Sequence, residues 1–179
     1  MERYIPGTHI LWVEFRCTHC GGLPPDFYDR HNIISEYYRL LFSVYEQVRK
    51  GYGRPLPVSS GWRCGEHQLF IYLTKLYKKY GTLSLDTIVR IVQDTTMTPF
   101  SMHLFGALDL APKPKGWKQM DEIRLRETVK KECLKIIDEA RKAKPRPRIG
   151  GSYGTHVHID LGYMIRPRYS AKLRPGAEW

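Results

Sequence analysis

The sequence predicts an α+β domain in which helices flank a small, mainly antiparallel sheet. Two long segments, 33–50 and 119–142, repeat apolar residues at spacings of three and four, the period of an amphipathic helix. Three short apolar segments, at 54–60, 101–110 and 156–161, have the length of strands and lie beside Pro or Gly residues. The chain has 179 residues, and we expect all of it to form a single domain.

The N-terminal part is punctuated by Gly, Pro and Cys. Residues 8–16 form a short apolar run that is either a strand or an entry loop. Residues 17–29 are rich in Gly, Pro and Cys and are expected to form an irregular loop. Gly51 and Gly53 follow the first long amphipathic segment and are expected to end that helix.

A helical insert is predicted at about 66–98, between the first and second strands. Helical spacing of apolar residues occurs at 68–80 and again at 84–93, and Ser84 is expected to cap the second helix. The predicted apolar faces are Leu69, Leu73, Leu76 and Tyr80 in the first helix and Leu85, Ile88, Val89 and Val92 in the second. The polar segment 95–100 is expected to be a loop that leads into the second strand.

The C-terminal part begins with the second long helix, at 119–142. Asp121 and Glu122 are expected to complement its dipole at the N-terminus, and Glu132 is interpreted as part of a solvated face. The predicted buried side is Leu125, Val129, Cys133, Ile136 and Ala140. A stiff Pro-rich connector, a Gly-rich turn and the last strand follow, and the tail after Arg166 is expected to be extended.

The net charge of +11 is the largest departure from an ordinary composition. Such a charge favours polyanionic partners: nucleic acid, an anionic membrane surface or anionic cell-wall polymers. Basic residues become denser after Lys142, where they include Arg148, and we expect a solvated basic surface without a nucleic-acid motif. No apolar run approaches the roughly 20 residues that span a bilayer. The N-terminal segment lacks signal-peptide features, so synthesis in the cytoplasm is expected.

The four cysteines are too few and too scattered for a disulfide scaffold. Cys17 and Cys20 have the C-x-x-C spacing of half a zinc knuckle, but neither Cys64 nor Cys133 belongs to a second such pair. We therefore interpret the thiols as small packed side chains, with a second structural metal as the alternative. His67 is interpreted as a loop residue.

Two apolar segments carry the side chains that indicate chemistry. His103 and Asp109 lie in the first, and the second contains His156, His158 and Asp160. Two imidazoles and one carboxylate from separate segments are a typical ligand set for a catalytic zinc ion, with the fourth position left for water. Residues two apart on a strand share a face, so the two histidines and the Asp of the second segment should point the same way.

Taken in order, the motifs of this chain resemble those of a known family. They are Phe15-x-Cys17-x-x-Cys20-Gly21, Pro57-Val58-Ser59-Ser60-Gly61-Trp62-Arg63, Ser101-x-His103-x-x-Gly106 and His156-Val157-His158-Ile159-Asp160. From about Phe15 to Gly162 the chain is similar to the zinc D-alanyl-D-alanine carboxypeptidases. That family includes the L-alanyl-D-glutamate endopeptidases of bacteriophage lysis and shares the hedgehog-type α+β fold.

The resemblance implies a zinc ion held by His103, Asp109 and His158, with Arg63 contacting the substrate carbonyl or carboxylate. A guanidinium near the scissile bond can stabilise the developing oxyanion. The implied activity is hydrolysis of a peptide bond in the peptidoglycan stem peptide. Three settings would suit such an enzyme. It could act in phage lysis after release from the bacterial cytoplasm, it could be part of a virion, or it could remodel the cell wall.

Two departures from the family pattern concern the site. His103 and Asp109 are six positions apart, where the family has seven. Either the turn at Gly106 absorbs the missing residue or Asp109 points away from the metal, although along a continuous strand an even spacing keeps both on one face. Many family members have a carboxylate three residues before the last zinc histidine, where this chain has Thr155. Asp160 is then the first candidate for the general base, and His156 is the second.

Ser60 and Tyr153 are further candidates for substrate binding. Ser59 and Ser60 are expected to bond the backbone and not to act as nucleophiles, because no Ser-His-acid arrangement supports them. Tyr153 either orients substrate or anchors the Gly-rich turn. Two other functions stay open: a structural or wall-binding virion protein without turnover, and a basic nucleic-acid-binding protein.

Overall fold

The fold is α+β, as predicted, with a four-stranded antiparallel sheet in the part of the chain that the structure describes. The computed structural model describes residues 2–82, 84, 86, 87, 90, 101–151, 153–165, 175 and 176. The strands are β1 (Val58–Ser60), β2 (Leu108–Leu110), β3 (Arg148–Gly150) and β4 (Val157–Asp160), in the order β1-β2-β4-β3. The helices are α1 (Trp12–Phe15), α2 (Glu36–Tyr52), α3 (Gly65–Tyr80), α4 (Glu122–Lys142) and α5 (Gly162–Ile165).

The register of the sheet brings the predicted site residues together. Asp109 of β2 lies directly opposite His158 of β4. On the other side of β4, Arg148 of β3 lies opposite Asp160. Ser60 of β1 pairs with Asp109, and the register shifts within β1. Directly opposed residues have Cβ atoms about 4.5–5.5 Å apart, so each of these pairs is within side-chain reach.

One hydrophobic core joins α2, α4 and the sheet. The buried residues of α2 are Tyr37, Tyr38, Leu41, Phe42, Val44, Tyr45 and Val48. Those of the sheet include Leu108, Leu110, Ile149, Val157 and Ile159, each at most 1% exposed. Because fully burying one large apolar side chain contributes about 1.5–3 kcal/mol, these strands hold the side chains of the site on a rigid support.

The first long helix runs two to three residues later than predicted. It spans Glu36–Tyr52, and Gly53 ends it at φ +74° by donating its N–H to the Arg49 carbonyl. Glycine adopts this left-handed conformation at little cost, so the prediction for Gly53 is confirmed. Gly51 lies inside the helix, and its predicted role as a terminator is wrong.

The second long helix, α4, confirms its predicted cap and corrects one predicted solvent-facing residue. The Asp121 carboxylate accepts the backbone N–H three residues further on at 2.7 Å, as an N-cap does. Glu132, however, is only 6% exposed. It accepts hydrogen bonds from Tyr52 and Lys135 at 2.8 and 2.7 Å, and it also pairs with Arg54. A buried carboxylate requires such partners, and these tie α4 to the end of α2.

The N-terminal segment contains a short helix where a strand or loop was the expectation. The helix α1 lies within 8–16, and the Glu14 carboxylate accepts the Leu11 backbone N–H at 2.9 Å ahead of it. Phe15 packs against Phe27 and Phe42 with ring centroids 5.5 and 5.2 Å apart. These contacts fasten the segment to the core beside β1.

The helix α3 is the first helix of the predicted insert. It begins at Gly65, three residues before the predicted start, because Cys64 acts as its N-cap. Tyr80, at the end of the predicted apolar face, is 62% exposed. The other three residues of that face, Leu69, Leu73 and Leu76, are half-buried.

Several predicted elements lie largely outside the described residues: the second insert helix at 84–93, the loop at 95–100 and the tail after 165. Ser84 is described, and its Oγ accepts the Thr87 backbone N–H at 3.2 Å, the bond expected of the predicted N-cap. None of the helices in the described ranges combines the length and the apolar character needed to cross a membrane.

Candidate metal centre

His103 lies in a 3-10 turn, Met102–Leu104, and the prediction that it belongs to a strand is wrong. His103 and Asp109 therefore do not lie on one continuous strand, and their even spacing does not determine their orientation. The chain turns at Gly106, whose φ of +93° suits glycine and where a Cβ would lie 2.5 Å from the Tyr38 ring. This turn accommodates the six-residue spacing between His103 and Asp109.

Two tyrosines of α2 hold the turn that carries His103. The Tyr37 hydroxyl donates to the Gly106 carbonyl at 2.6 Å, and the Tyr38 hydroxyl donates to the Phe105 carbonyl at 3.0 Å. Burial raises the pKa of both phenols, so each hydroxyl keeps its proton. The packing of α2 therefore helps to set the position of the His103 ring.

A backbone contact determines which nitrogen of His103 faces the cluster. Nδ1 lies 2.5 Å from the Gly61 carbonyl oxygen, which can only accept, so this nitrogen carries a proton. Nε2 lies 3.1 Å from Asp109 Oδ1. Residue 61 must be glycine because the chain passes close to α1 there: a Cβ would lie 2.5 Å from the Phe15 backbone.

Asp109 and His158 complete a group of three buried ligand residues. His158 Nδ1 lies 2.9 Å from Asp109 Oδ1, as their opposed positions in the sheet allow. One ligand atom from each of His103, Asp109 and His158 lies within 4.8 Å of the others, and no member is more than 6% exposed. Ligand atoms on a tetrahedral ion with bonds of 2.0–2.1 Å are about 3.3 Å apart. The group is therefore positioned to bind a metal ion.

The carboxylates in and beside this group stabilise positive charge beside them: burial lowers the pKa of His158, but hydrogen bonds with Asp109 and Asp160 outweigh burial and raise it. Burial raises the pKa of the Asp109 carboxyl, but contacts with His103 and His158 outweigh burial and hold that pKa well below its usual range. Burial lowers the pKa of His103, and Asp109 only partly offsets that effect. A neutral His103 with its proton on Nδ1 presents the Nε2 lone pair to an anionic carboxylate. A cation between them would stabilise this arrangement.

Asp160, the first candidate for the general base, is enclosed on all sides. Its Oδ1 and Oδ2 accept from Arg148 Nε and Nη2 at 2.7 and 2.8 Å, and Oδ1 also accepts the Gly162 N–H at 2.7 Å. Oδ2 lies 3.1 Å from His158 Nε2, and the residue is 0% exposed. A general base must reach the proton that it takes. These contacts suit orientation of His158 instead.

Arg148 does not belong to the solvated basic surface that the sequence predicts. It is 5% exposed, and its guanidinium binds both oxygens of Asp160. The expectation is wrong because β3 begins inside the basic connector and places Arg148 opposite Asp160 in the sheet.

His156 approaches the three ligand residues from a more exposed direction. Its side chain is 25% exposed, and Nε2 lies 3.8 Å from Asp109 Oδ1. Nδ1 lies 3.0 Å from Thr155 Oγ1. The imidazole stacks on the Tyr153 ring, with centroids 4.5 Å apart. Two neighbours therefore hold the ring while Nε2 remains directed toward Asp109.

Arg63 links the three ligand residues to an open cleft. Its Nη2 lies 3.3 Å from Asp109 Oδ2, and its Nε and Nη2 donate to Ser60 Oγ at 3.0 and 2.8 Å. Ser60 thus bonds a side chain and not the backbone, whereas Ser59 Oγ donates to the Asp109 carbonyl, as expected. Arg63 and Ser60 also line a cleft of about 460 Å³ beside α1 and β1.

A second group of metal-binding residues lies at the start of α3. The Sγ atoms of Cys17, Cys20 and Cys64 lie within 4.8 Å of one another, and all three cysteines are free. Burial raises the pKa of the Cys17 thiol, but the N–H groups of Cys64, Cys20 and His19 outweigh it and bring that pKa to about 6. These thiols are thus positioned to bind a metal ion. From the sequence alone, a metal site was only the alternative to packed thiols.

Sequence reasoning missed four residues in or beside these two groups, and the interpretation of His67 as a loop residue is wrong, because it lies in α3. Arg148 and Gln68, whose Oε1 accepts from Arg63 Nη1 at 3.4 Å, carry no motif and are recognised only from the fold. Cys64 and His67 do carry a signal. Their C-x-x-H spacing is the missing partner of Cys17-x-x-Cys20, and it was visible in the sequence.

Comparisons with protein-family models, with curated proteins and with solved structures gave no match.

Proposed function

We propose that this protein is a zinc-dependent peptidase that hydrolyses a peptide bond in the stem peptide of peptidoglycan. The observation that carries the proposal is the buried set of His103, Asp109 and His158, with Arg63 and His156 directed at Asp109 from more exposed positions. The order of motifs along the chain supports the D-alanyl-D-alanine carboxypeptidase or L-alanyl-D-glutamate endopeptidase type.

Zinc would be held by His103 Nε2, an Asp109 carboxylate oxygen and His158 Nδ1. Two imidazoles and a carboxylate suit Zn²⁺, and the second nitrogens of the rings are fixed by the Gly61 carbonyl and by Asp160. When bound, the ion supplies a Lewis acid that polarises the scissile carbonyl and lowers the pKa of water. The protein contributes the orientation of the ligands and their exclusion from bulk solvent.

Arg63 binds the substrate in this proposal. Ser60 and Gln68 hold the guanidinium, and 18% of the side chain stays exposed beside the cleft. A planar fork of N–H donors matches a carboxylate, or a carbonyl oxygen that gains negative charge. Because these contacts fix the donors before the reaction, they can stabilise the oxyanion without reorganisation.

His156 takes the proton from the attacking water at Nε2. Thr155 Oγ1 can accept a proton held on Nδ1, which leaves the Nε2 lone pair free on the side that faces Asp109. Tyr153 stacks on the ring and is itself 47% exposed, so it can also contact the substrate. Asp160 orients His158 and takes no part in proton transfer.

The charge of the chain supports an anionic polymer as the substrate-bearing surface. A net charge of +11 attracts anionic cell-wall polymers over the distance that salt permits. The setting that we propose is phage lysis, with release from the cytoplasm of the infected cell, or action from a virion. Remodelling of a bacterial wall uses the same chemistry.

The test is digestion of purified peptidoglycan by the purified, zinc-loaded protein, with mass spectrometry of the released products. Release of D-alanine, or a new amino terminus on the D-glutamyl residue, is the expected result, and it should stop on chelation and return with zinc. The matched control is Asp109→Asn, which keeps the size of the side chain and removes its charge. A folded, zinc-loaded protein that pellets with walls and releases nothing would be a wall-binding protein instead.

A further inference from the structure

We propose that Cys17, Cys20, Cys64 and His67 form a second, structural zinc site, which closes the loop 17–22 onto the start of α3. The site is separate from the three ligand residues in the sheet and contains thiols, which those residues lack. It uses side chains for which the proposed peptidase reaction has no role.

Two distances measured from Cys17 Sγ match those expected on a tetrahedral zinc ion. The Sγ atoms of Cys17 and Cys64 are 3.7 Å apart. Two sulfurs on zinc, each bonded at about 2.3 Å, are about 3.8 Å apart, whereas a disulfide requires about 2.05 Å. His67 Nδ1 lies 3.4 Å from Cys17 Sγ, against about 3.5 Å for a thiolate and an imidazole on one ion.

The backbone around the thiols stabilises negative charge on sulfur. The Cys64 N–H donates to Cys17 Sγ at 3.4 Å, and the His67 N–H donates to Cys64 Sγ at 3.4 Å. The loop turns tightly at Gly21, with φ +68° and its N–H 2.8 Å from the Cys17 carbonyl oxygen. Such N–H donors favour the thiolate, which is the form that binds metal.

His67 is the fourth ligand in this assignment because of its spacing and its position. The C-x-x-H of Cys64 and His67 repeats the spacing of Cys17-x-x-Cys20, so each pair comes from one tight turn. His67 is half-buried in the first turn of α3. His19 is the competitor, since its Nδ1 lies 3.5 Å from Cys64 Sγ, but its side chain is 50% exposed.

Four protein ligands make a closed site, and closed zinc sites contribute folding free energy. This site would fasten the backbone next to Arg63. The Trp62 N–H already donates to the Phe15 carbonyl at 2.8 Å, and the Arg63 N–H donates to the His103 carbonyl at 3.0 Å. A metal bond at Cys64 would fix the residue that follows Arg63 as well. This positioning of Arg63 rests on the proposed function, whereas the metal site does not.

The test is metal content together with the absorption spectrum of the cobalt-substituted protein. The wild type should bind about two zinc ions per chain, and His103→Ala should keep about one. Cobalt-loaded His103→Ala should retain a thiolate-to-cobalt charge-transfer band, because only the second site supplies sulfur. Absence of that band in both proteins would overturn the proposal, whatever the peptidoglycan assay shows.

Single variants then assign the ligands. Cys20→Ser should lose about one zinc ion and the charge-transfer band, whereas Cys133→Ala, at a buried cysteine outside the site, should keep both. His67→Ala should shift the band, and His19→Ala should not. The reverse result would overturn His67 as the fourth ligand. If Cys20→Ser does not fold, the spectrum of His103→Ala still decides whether the site exists.

Discussion

At the scale of single residues, the buried pair of Arg148 and Asp160 determines how His158 presents its nitrogens. Burial raises the pKa of Asp160, but hydrogen bonds from His158 and Arg148 outweigh burial and keep that pKa below its usual value. The carboxylate is therefore ionised and accepts from His158 Nε2, so Nδ1 can offer its lone pair to a metal ion shared with Asp109. The bidentate guanidinium compensates the desolvation of a carboxylate that no water reaches.

Asp160→Asn should therefore weaken zinc binding, by about 10- to 100-fold, as loss of a residue that orients a metal ligand typically does. A competition titration against a chelator measures this. His156→Ala is the matched comparison and should keep its zinc affinity while losing most of its turnover. If Asp160→Asn keeps full affinity and loses turnover, Asp160 is the general base and His156 is not.

Arg63→Lys should lower turnover on wall peptides by about 100- to 1000-fold, the usual cost of losing one oxyanion donor. A lysine keeps the charge but lacks the planar fork, so zinc content and melting temperature should change little. Arg16→Lys is the control, because Arg16 also lines the cleft and stacks on the Trp12 ring. Equal losses in the two variants would contradict a special role for Arg63.

At the scale of elements, the parts that could be predicted are those that depend on local periodicity. The two long helices and the strands of Asp109 and His158 follow from apolar spacing. The choice of His103, Asp109 and His158 as ligands came from the family resemblance, since the residue types alone also allow His156. A turn at Gly106 could be predicted from the shortened spacing, but the placement of His103 in a 3-10 turn could not, since it depends on hydrogen bonds from Tyr37 and Tyr38, which are distant in sequence. The burial of Asp160 likewise depends on the pairing of β3 with β4, which no local pattern encodes.

The contact between α2 and α4 carries a prediction about pH. Burial raises the pKa of Glu132, but Lys135, Tyr52 and Arg54 outweigh it, so the pKa is lowered from its ordinary 4.5. A lowered folded-state pKa stabilises the protein above about pH 4.5, and this contribution is lost as the pH falls through the folded-state value. Glu132→Gln should lower the free energy of unfolding at pH 7 by about 1–2 kcal/mol, since two of the partners are solvent-exposed.

Urea unfolding at pH 7 and at pH 4 tests this prediction. The difference between Glu132→Gln and wild type should shrink at the lower pH. Glu127→Gln, an exposed position on the same helix, should differ little from wild type at either pH. A difference for Glu132→Gln that does not depend on pH would mean that the carboxylate charge contributes nothing there.

At the scale of the whole molecule, the net charge of +11 should govern attachment to cell walls. Exposed charges are screened beyond about 8 Å at physiological ionic strength, so binding should fall steeply as salt is added. Pelleting of Asp109→Asn with purified walls across a salt series measures attachment without digestion. A flat binding curve would show that contacts other than charge hold the protein to the wall.

The hydrogen bond from the Arg63 N–H to the His103 carbonyl has a further consequence for how this chain tolerates change. It joins, at 3.0 Å, two points of the chain that are forty residues apart in sequence. The segment between Gln68 and Ser101 thus leaves and re-enters the fold at neighbouring positions. Because the entropic cost of closing a loop rises only slowly with its length, this segment can lengthen, shorten or be exchanged while the rest of the fold stays the same. New contacts can therefore be added there without rebuilding the group of His103, Asp109 and His158.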